Sequence, residues 1–268
     1  MRIALGVEYD GRPYCGWQSQ AEGLTVQGTL QAALSGIAAS TIAVIAAGRT
    51  DTGVHGLEQV VHFDTQVDRP LQAWVRGVNA LLPESIAVRW AHPVTEEFHA
   101  RFSAQGRSYR YMLVNSGIRP AIQSGKVGWF HIPLDLAEMR KAAQYLLGTH
   151  DFSAFRAAQC QAKSPVKDLR QLDIRRVGDM LIFDVGADAF LHHMVRNIVG
   201  CLVYVGKGKY PAHWLEEVLA SRDRRAAAPT FAPDGLYLRR IQYDVKWGLP
   251  QLQDTGVGIQ DLGAQHGE

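Results

Sequence analysis

The apolar residues of this chain change their spacing several times, and the changes follow the same order in both halves. An alternating run at Ile3–Tyr9 predicts a strand, and apolar residues three and four apart predict a helix at Val26–Ile37, with Thr25 as its N-cap. Further apolar runs predict a strand pair, a helix and a closing strand at Thr41–Ala47, Gln59–Phe63, Leu71–Leu81 and Ile86–Val94. The first half is therefore predicted to run β-α-β-β-α-β.

The second half repeats this order over a longer stretch. Asp135 and Glu138 form a D-x-x-E cap before a helix that extends to Leu147. The remaining pattern predicts strands and helices at Arg107–Val114, Val166–Val177, Met180–Asp188, Leu191–Val205, Ala212–Leu219 and Leu236–Val245. A Gly178-Asp179 turn joins the two central strands. The halves share this pattern but not their residue identities.

The doubled pattern predicts an α+β fold made of two tandem ferredoxin-like β-α-β-β-α-β units. We expect the units at residues 1–97 and 98–247, with their strands joined into one mixed antiparallel sheet and a central active-site cleft. Residues 248–268 are rich in Gly and Gln and lack periodicity, so they are predicted to be a mobile tail.

Composition excludes several classes of protein. With 268 residues, 47% hydrophobic and 20% charged, the chain has the composition of a globular protein with real cores. It has no charged-then-apolar leader and no apolar run near the ~20 residues that span a bilayer. We therefore expect a cytoplasmic protein that makes no contact with membranes.

Cysteine and histidine spacing argues against a metal site. The three cysteines, Cys15, Cys160 and Cys201, are far apart and form no C-x-x-C pair. The one pair of adjacent histidines is His192-His193, and neighbours on a helix or strand point to different sides. The sequence thus predicts no metal and no disulfide framework.

The net charge of +2 hides an uneven distribution of charge. Three windows between acidic residues contain only cations, namely Arg101, Arg107, Arg110, Arg119 and Lys126, then Arg156, Lys163 and Lys167, then Arg196, Lys207 and Lys209. Aromatic residues lie within these windows, as is typical of surfaces that bind a phosphate backbone and unstacked bases. The windows therefore favour a basic face for RNA.

A glycine-rich loop lies between two apolar runs in the first half. It spans Ala47–Gly56 and holds one carboxylate, Asp51, between Arg49 and His55. Glycines on a loop between strands allow tight turns and close approach of a ligand. Spacing alone leaves two interpretations open, an ordinary Asx-type turn or a catalytic carboxylate.

The loop sequence, Gly48–Gly56, resembles the G-R-T-D-x-G-V-H-G signature of the bacterial tRNA pseudouridine synthase A family. Four more stretches resemble that family in the expected order, and they are Tyr9–Gly11 with Tyr14–Gln18, Phe98–Ala104 with Tyr109–Tyr111, Phe190–Gly200, and Ala232-Pro233 with Gly235–Leu238. Thr52 departs from the small residue, such as Ala, that is common there. Five ordered stretches cover most of residues 1–245 and are far more specific than one.

The resemblance implies an isomerase that converts uridine to pseudouridine at positions 38, 39 and 40 of the tRNA anticodon stem-loop. It implies Asp51 as the nucleophile, Arg196 as its ionic partner and Arg49 as the base-flipping residue. Tyr109 and Leu236 would contact the uracil, although Leu238 is an alternative to Leu236. The base that removes the C5 proton stays open between Tyr109 and water.

We also predict RNA-binding residues from the sequence, and the resemblance implies partners. The RNA contacts would be Phe98, His99, Ala100, Arg101, Phe102, Gln159, Cys160, Gln161, Ala162 and Lys163. The family implies no cofactor, and its members act as homodimers. His55 is expected to fix the loop by hydrogen bonding rather than to shuttle protons.

Two rival functions remain at this stage. A non-catalytic RNA-binding protein would also use ferredoxin-like units, and Tyr109–Tyr111 offers strand aromatics for it; turnover would exclude it. An RNA N-glycosidase could use Asp51 but would normally need a second carboxyl group and would release free uracil. The single carboxylate of the loop favours isomerisation.

Overall fold

The computed structural model describes residues 1–250, which form one ten-stranded mixed sheet with helices, as the sequence pattern predicts. The predicted tail lies outside the described residues from position 251 onward. The strands are β1 (Arg2–Tyr9), β2 (Ile45–Ala46), β3 (His55–Asp64), β4 (Ile86–Val94), β5 (Ala104–Asn115), β6 (Gly128–Phe130), β7 (Gly148–Asp151), β8 (Val166–Val177), β9 (Met180–Ala187) and β10 (Leu236–Tyr243). The helices are α1 (Val26–Ala38), α2 (Val78–Leu81, continuing a π-helical turn at Ala73–Gly77), α3 (Leu136–Gln144), α4 (Met194–Gly206) and α5 (Trp214–Ser221).

The strand order is β4-β1-β3-β10-β5-β9-β8-β7, with β2 paired to β3 and β6 paired to β5. The first half thus has the order β4-β1-β3-β2 and the second half β10-β5-β9-β8, which is the ferredoxin-like arrangement twice. The halves meet where β3 and β10 pair in parallel, through Tyr237 opposite His55 and Leu238 opposite Gly56. The short strand β6 also pairs in parallel with β5, and the remaining pairings among residues 1–250 are antiparallel.

Helix caps and helix faces follow the sequence closely. The side chain of Thr25 accepts a hydrogen bond from the Gly28 amide at 3.2 Å, and that of Asp135 accepts from Ala137 at 2.8 Å. The apolar stripe of α1 packs on β1 and β3 in one core, and α3, α4 and α5 pack on β5, β8 and β9 in another. Each large aliphatic side chain buried there stabilises the fold by about 1.5–3 kcal/mol.

Strand β2 is shorter than predicted. The sequence pattern suggests Thr41–Ala47, but only Ile45–Ala46 pair with β3. The amides before it bond to side chains of α1 instead, Ile42 to Ser35 Oγ at 2.9 Å and Val44 to Gln31 Oε1 at 3.0 Å. The helix thus satisfies groups that a longer strand would have paired. The sequence pattern also missed β6 and β7, which have only three and four residues.

Helix α4 is held against the segment that leads into β10. Asn197 is fully buried, and its side chain bonds to Phe155 O at 2.8 Å and to Thr230 Oγ1 at 2.7 Å. Gly200 has no side chain where the chain passes, and a Cβ there would overlap the carbonyl oxygen of Pro229. This close approach requires glycine and fixes the N-terminal turn of α4, which carries Arg196.

Within residues 1–250, no helix is both long enough and apolar enough to cross a lipid bilayer.

Candidate active site

The loop between β2 and β3 is held in place by contacts with β1 and with the segment that follows β1. Thr50 is buried and shares a hydrogen bond of 2.8 Å with the Tyr9 hydroxyl. The Trp17 amide donates to Thr50 O at 3.0 Å, and Gly16, at φ +93°, lies directly against the loop backbone. These contacts account for Tyr9, Gly16 and Trp17, to which the sequence alone assigned no role.

Asp51 lies at the centre of a group of basic side chains. Arg196 Nη1 is 3.3 Å from Oδ2, His192 Nε2 is 3.0 Å from Oδ1, and His193 Nε2 is 3.3 Å from Oδ2. Arg196 also donates through Nε to Phe231 O at 2.8 Å, which orients its guanidinium. Residues from both halves of the chain therefore converge on one half-buried carboxylate.

The convergence of His192 and His193 contradicts the expectation that adjacent histidines point to different sides. His193 has left-handed backbone angles, φ 63° and ψ 3°, and it is the residue just before α4. Neither a regular helix nor a strand is present there, so the two rings lie 4.0 Å apart and both reach Asp51. Such a conformation is strained for a residue with a side chain, and strain of this kind occurs at functional sites.

Asp51, His192 and His193 are also the residues here that could hold a metal, since one ligand atom from each lies within 4.8 Å of the others. The Arg196 guanidinium contacts the same carboxylate and would repel a divalent cation. Burial lowers the pKa of His193, although the charge of Asp51 acts in the opposite direction. The arrangement is better suited to hydrogen bonding and charge pairing with Asp51 than to metal binding.

Tyr109 lies on β5 with its ring against Phe190, at 4.9 Å between ring centres. Its hydroxyl has no hydrogen-bond partner among residues 1–250. Burial raises its pKa strongly, and the negative charge of Asp51 adds to the effect. Tyr109 therefore stays protonated at neutral pH and can donate a hydrogen bond, which makes it a poor base.

The two candidate leucines lie on the same face of β10. Leu238 is directly opposite Tyr109, whereas Leu236 is opposite Tyr111 and belongs to the core beneath α4. Both are buried. The contact of Leu236 with uracil stays a prediction, and the geometry gives Leu238 the closer relation to Tyr109.

Arg49 and His55 lie near the two ends of the loop, and they differ in their exposure to solvent. Arg49 is exposed and makes no hydrogen bond or ion pair with any residue from 1 to 250. His55 is buried, accepts a hydrogen bond from the Gly11 amide at 3.2 Å, and contacts Asp234 O through Nε2 at 3.2 Å. Its burial lowers its pKa, although Asp10 opposes the shift. His55 anchors the loop, as the sequence analysis expected.

The first predicted RNA-contacting segment combines buried and exposed residues. Phe98 and Ala100 are buried, whereas Arg101 and Phe102 are exposed. The Phe102 ring is 76% exposed and stacks on His99 with ring centres 4.3 Å apart. Buried Phe98 and Ala100 can support the segment but have little surface to offer RNA.

The second predicted segment is tied to the turn that carries the two histidines. The side chains of Gln159, Gln161 and Lys163 are exposed. Cys160 Sγ accepts a hydrogen bond from the His192 amide at 3.3 Å. Arg156 donates to the carbonyls of Cys160 and Ala162, so these residues shape the segment from inside.

Two arginines of the first basic window do not belong to a phosphate-binding surface. Arg110 is buried and pairs with Asp184 through two hydrogen bonds, at 2.8 and 3.2 Å. Arg107 donates to three backbone carbonyls, those of Ala47, Arg101 and Asp188, and to no carboxylate among residues 1–250. Alternate residues of a strand point to opposite faces, and both faces of β5 are covered at these positions. The suggestion that the whole window forms a basic face is therefore wrong for these two residues.

His62 provides a pH-dependent support beneath the first predicted RNA-contacting segment. It is buried, and its Nδ1 accepts a hydrogen bond from the Ala100 amide at 3.1 Å. Burial, together with the charge of Arg2, lowers its pKa to about 4. The unfolded chain binds a proton at His62 below about pH 6.5, whereas the folded protein binds it only below about pH 4. We expect the free energy of unfolding to fall as pH drops from about 6.5 to about 4, by at most about 3 kcal/mol from this group.

Urea unfolding at a series of pH values through this window measures the effect. His62→Gln can still accept the Ala100 hydrogen bond but does not titrate, so its stability should fall less steeply. Some slope should remain, because burial also lowers the pKa of His55, His99 and His193. Equal slopes for the two proteins would contradict this prediction.

Several known proteins are similar to this chain over most of its length. The chain matches the family described as tRNA pseudouridine synthase over residues 6–103 and 142–244. It is 60% identical to "tRNA pseudouridine synthase A" of Dechloromonas aromatica (strain RCB), over 95% of this chain and 97% of that protein. Proteins of the same name from Herminiimonas arsenicoxydans and Methylobacillus flagellatus are each 59% identical. They cover 94% and 93% of this chain, and 93% and 96% of their own lengths.

The match includes the loop of Asp51, the turn of His192 and His193, and the arginine of α4. Identity at this level over nearly the full length of each relative confirms the resemblance drawn from the five motifs. The chain belongs to the tRNA pseudouridine synthase family and is an isomerase that acts on tRNA.

Proposed function

We propose that this enzyme isomerises uridine to pseudouridine at positions 38, 39 and 40 of the tRNA anticodon stem-loop, with Asp51 as the nucleophile. The main support is the ion pair between Asp51 Oδ2 and Arg196 Nη1 at 3.3 Å, in which a loop of the first half meets a helix of the second. A carboxylate held beside a cation in a cleft keeps its negative charge available for attack on carbon.

The proposed reaction begins when a carboxylate oxygen of Asp51 attacks C1′ and the C1′–N1 bond breaks. The uracil leaves with the bonding electron pair, turns, and forms a new bond from C5 to C1′, which releases Asp51. The proton on C5 then goes to a base and N1 takes up a proton. Arg196 stabilises the charge of Asp51 before attack and after release. Tyr109, which stays protonated, supplies a hydrogen bond and a ring face to the uracil rather than accepting the C5 proton.

The surrounding acids favour isomerisation over hydrolysis. A hydrolytic glycosidase normally needs a second carboxyl group about 5–9.5 Å from the first. Asp10 bonds to Arg12, and Glu58 is buried on β3 with Arg240 3.9 Å away, so both acids are engaged elsewhere. Because neither of these two carboxyl groups is free to activate a water, the displaced uracil itself is the proposed acceptor.

Access to a uridine in the stem-loop requires base flipping, at a cost of a few kcal/mol. Arg49 is exposed, without a protein partner among residues 1–250, and two residues from Asp51, so it is suited to fill the vacated stack or hold the flanking phosphates. Arg101 and Phe102 offer a cation and an exposed ring, and Gln159, Gln161 and Lys163 offer polar side chains. We further propose that two copies act together as a homodimer in the cytoplasm, without a cofactor.

The experiment uses tRNA transcripts labelled with tritium at uracil C5. Three transcripts each keep a uridine at only one of positions 38, 39 and 40. We expect tritium release to water from all three and no free uracil. Release of free uracil would indicate an N-glycosidase, and release from a transcript that lacks all three uridines would contradict the proposed positions.

A further inference from the structure

Arg107 is a half-buried cation that joins three separate segments of the chain. It lies on β5, two residues before Tyr109 and on the same face. Its Nη1 donates to Asp188 O at 3.0 Å, and its Nη2 donates to Ala47 O at 3.0 Å and to Arg101 O at 3.1 Å. The three acceptors are far apart in sequence and are all backbone carbonyls.

Each of the three segments leads directly to a part of the site. Ala47 begins the loop of Arg49 and Asp51. Arg101 belongs to the first RNA-contacting segment. Asp188 follows β9 and precedes the turn of His192 and His193. One guanidinium therefore sets the spacing between the loop, the RNA-contacting segment and the histidine turn.

The hydrogen bonds of Arg107 are better suited to positioning these backbone segments than to binding RNA or pairing with a carboxylate. No carboxylate among residues 1–250 accepts a hydrogen bond from Arg107, and burial lowers its pKa. Withdrawing a charge from water is costly unless its donors are bonded, and here three of the five guanidinium N–H groups donate to backbone carbonyls. The planar fork of arginine can reach several acceptors in fixed directions, whereas a lysine presents a single nitrogen.

We propose that Arg107 is a positioning residue that holds the Asp51 loop in register with the segment that contacts RNA. RNA bound at Arg101 and Phe102 then presents its flipped uridine at the correct distance from Asp51. Arg107 itself touches neither the substrate nor the reacting atoms. The inference rests on the roles proposed above for Asp51 and for the first RNA-contacting segment.

The test compares Arg107→Lys with Arg110→Lys, which changes a buried arginine of the same strand that points to the other face. Both variants should lose some thermal stability. We expect Arg107→Lys to lower kcat at saturating tRNA by roughly 10- to 100-fold, because misplacement of about 1 Å costs that much in rate. Its Kd for tRNA should change less than about 3-fold, and Arg110→Lys should retain its kcat within about 2-fold.

Hydrogen exchange provides a second measurement that does not depend on activity. Peptides that cover residues 47–53 and 98–103 should exchange faster in Arg107→Lys than in Arg110→Lys. Arg107→Gln, which is shorter and uncharged, serves as an alternative if the lysine variant does not fold, and kcat is expressed per folded molecule.

Two outcomes would overturn the inference. Equal losses of kcat in the two lysine variants would mean that Arg107 acts only through general stability. A raised Kd with unchanged kcat would mean that Arg107 binds RNA. Asp51→Asn is assayed beside them: if it stayed active, the proposed nucleophile would be wrong, while the exchange data would still report on the register of the loop.

Discussion

Asp51→Asn should abolish pseudouridine formation, with kcat on tRNA falling by at least roughly 10⁴-fold. Asparagine has nearly the same shape and can still contact His192 and Arg196, but its amide cannot attack C1′. Affinity for tRNA should change little or increase slightly, because removal of a negative charge from the cleft reduces repulsion of phosphates. Tritium release measures the first quantity, and filter binding at a fixed salt concentration measures the second.

Asp223→Asn is a suitable control, since the Asp223 side chain is 40% exposed and pairs with Arg225 at the surface. That variant should keep its full rate. Asp51→Asn with a kcat within about 10-fold of the unchanged enzyme would remove Asp51 from the mechanism. Loss of both rate and tRNA binding would instead indicate a misfolded protein, which circular dichroism would reveal.

Arg196→Met is the change with the second largest expected effect, a fall in kcat of roughly 10²- to 10³-fold. The methionine keeps much of the apolar stem but leaves the half-buried Asp51 carboxylate without its cation. Arg196→Lys should retain more activity but not all of it, because a lysine nitrogen cannot hold both Phe231 O and Asp51 in the geometry of the guanidinium. Single-turnover assays at saturating tRNA separate this effect from binding.

The control for Arg196 is Arg225→Met, which removes an exposed arginine from the same half of the chain. It should leave the rate unchanged. If Arg196→Met were fully active, the ion pair would have no catalytic role. If Arg196→Lys equalled the unchanged enzyme, charge alone would be sufficient and the forked geometry unnecessary.

Much of the fold was predictable because local patterns were strong and agreed with one another. The caps at Thr25 and Asp135, the strand at Ile86–Val94 and the strand pair at Val166–Val177 and Met180–Ala187 follow from spacing and turn chemistry. Strand β2 was overestimated because side chains of α1 satisfy backbone amides that the sequence pattern assigned to a strand ladder.

The site was predictable only in part. The resemblance suggested Asp51 beside Arg196, and the 3.3 Å between them is consistent with that expectation, although the catalytic roles stay predictions. His192 and His193 were not expected beside Asp51, because the left-handed backbone of His193 has no signature in local spacing. The signal that the sequence offers for this contact is a pair of adjacent histidines directly before an amphipathic helix.

Arginine counts were a poor guide to surface charge. Arg107 and Arg110 occur in a window without acids, yet one bonds to carbonyls and the other to Asp184 across the sheet. The sequence near each arginine does not reveal these contacts, because Asp184, the partner of Arg110, and Asp188, a partner of Arg107, are more than seventy residues away. The same limitation applies to Phe98 and Ala100, whose burial depends on packing that the segment itself does not reveal.

The place of β10 in the sheet has a consequence for biosynthesis. It is the last strand of the described chain, yet it lies between β3 and β5 in the middle of the sheet. Until Tyr243 has left the ribosome, the halves that carry Asp51 and Arg196 have no strand to join them, and β3 and β5 present unpaired edges to other chains. A polypeptide released before that point would therefore be inactive and prone to aggregate. The ribosome must synthesise nearly all of the fold before the enzyme can modify a uridine.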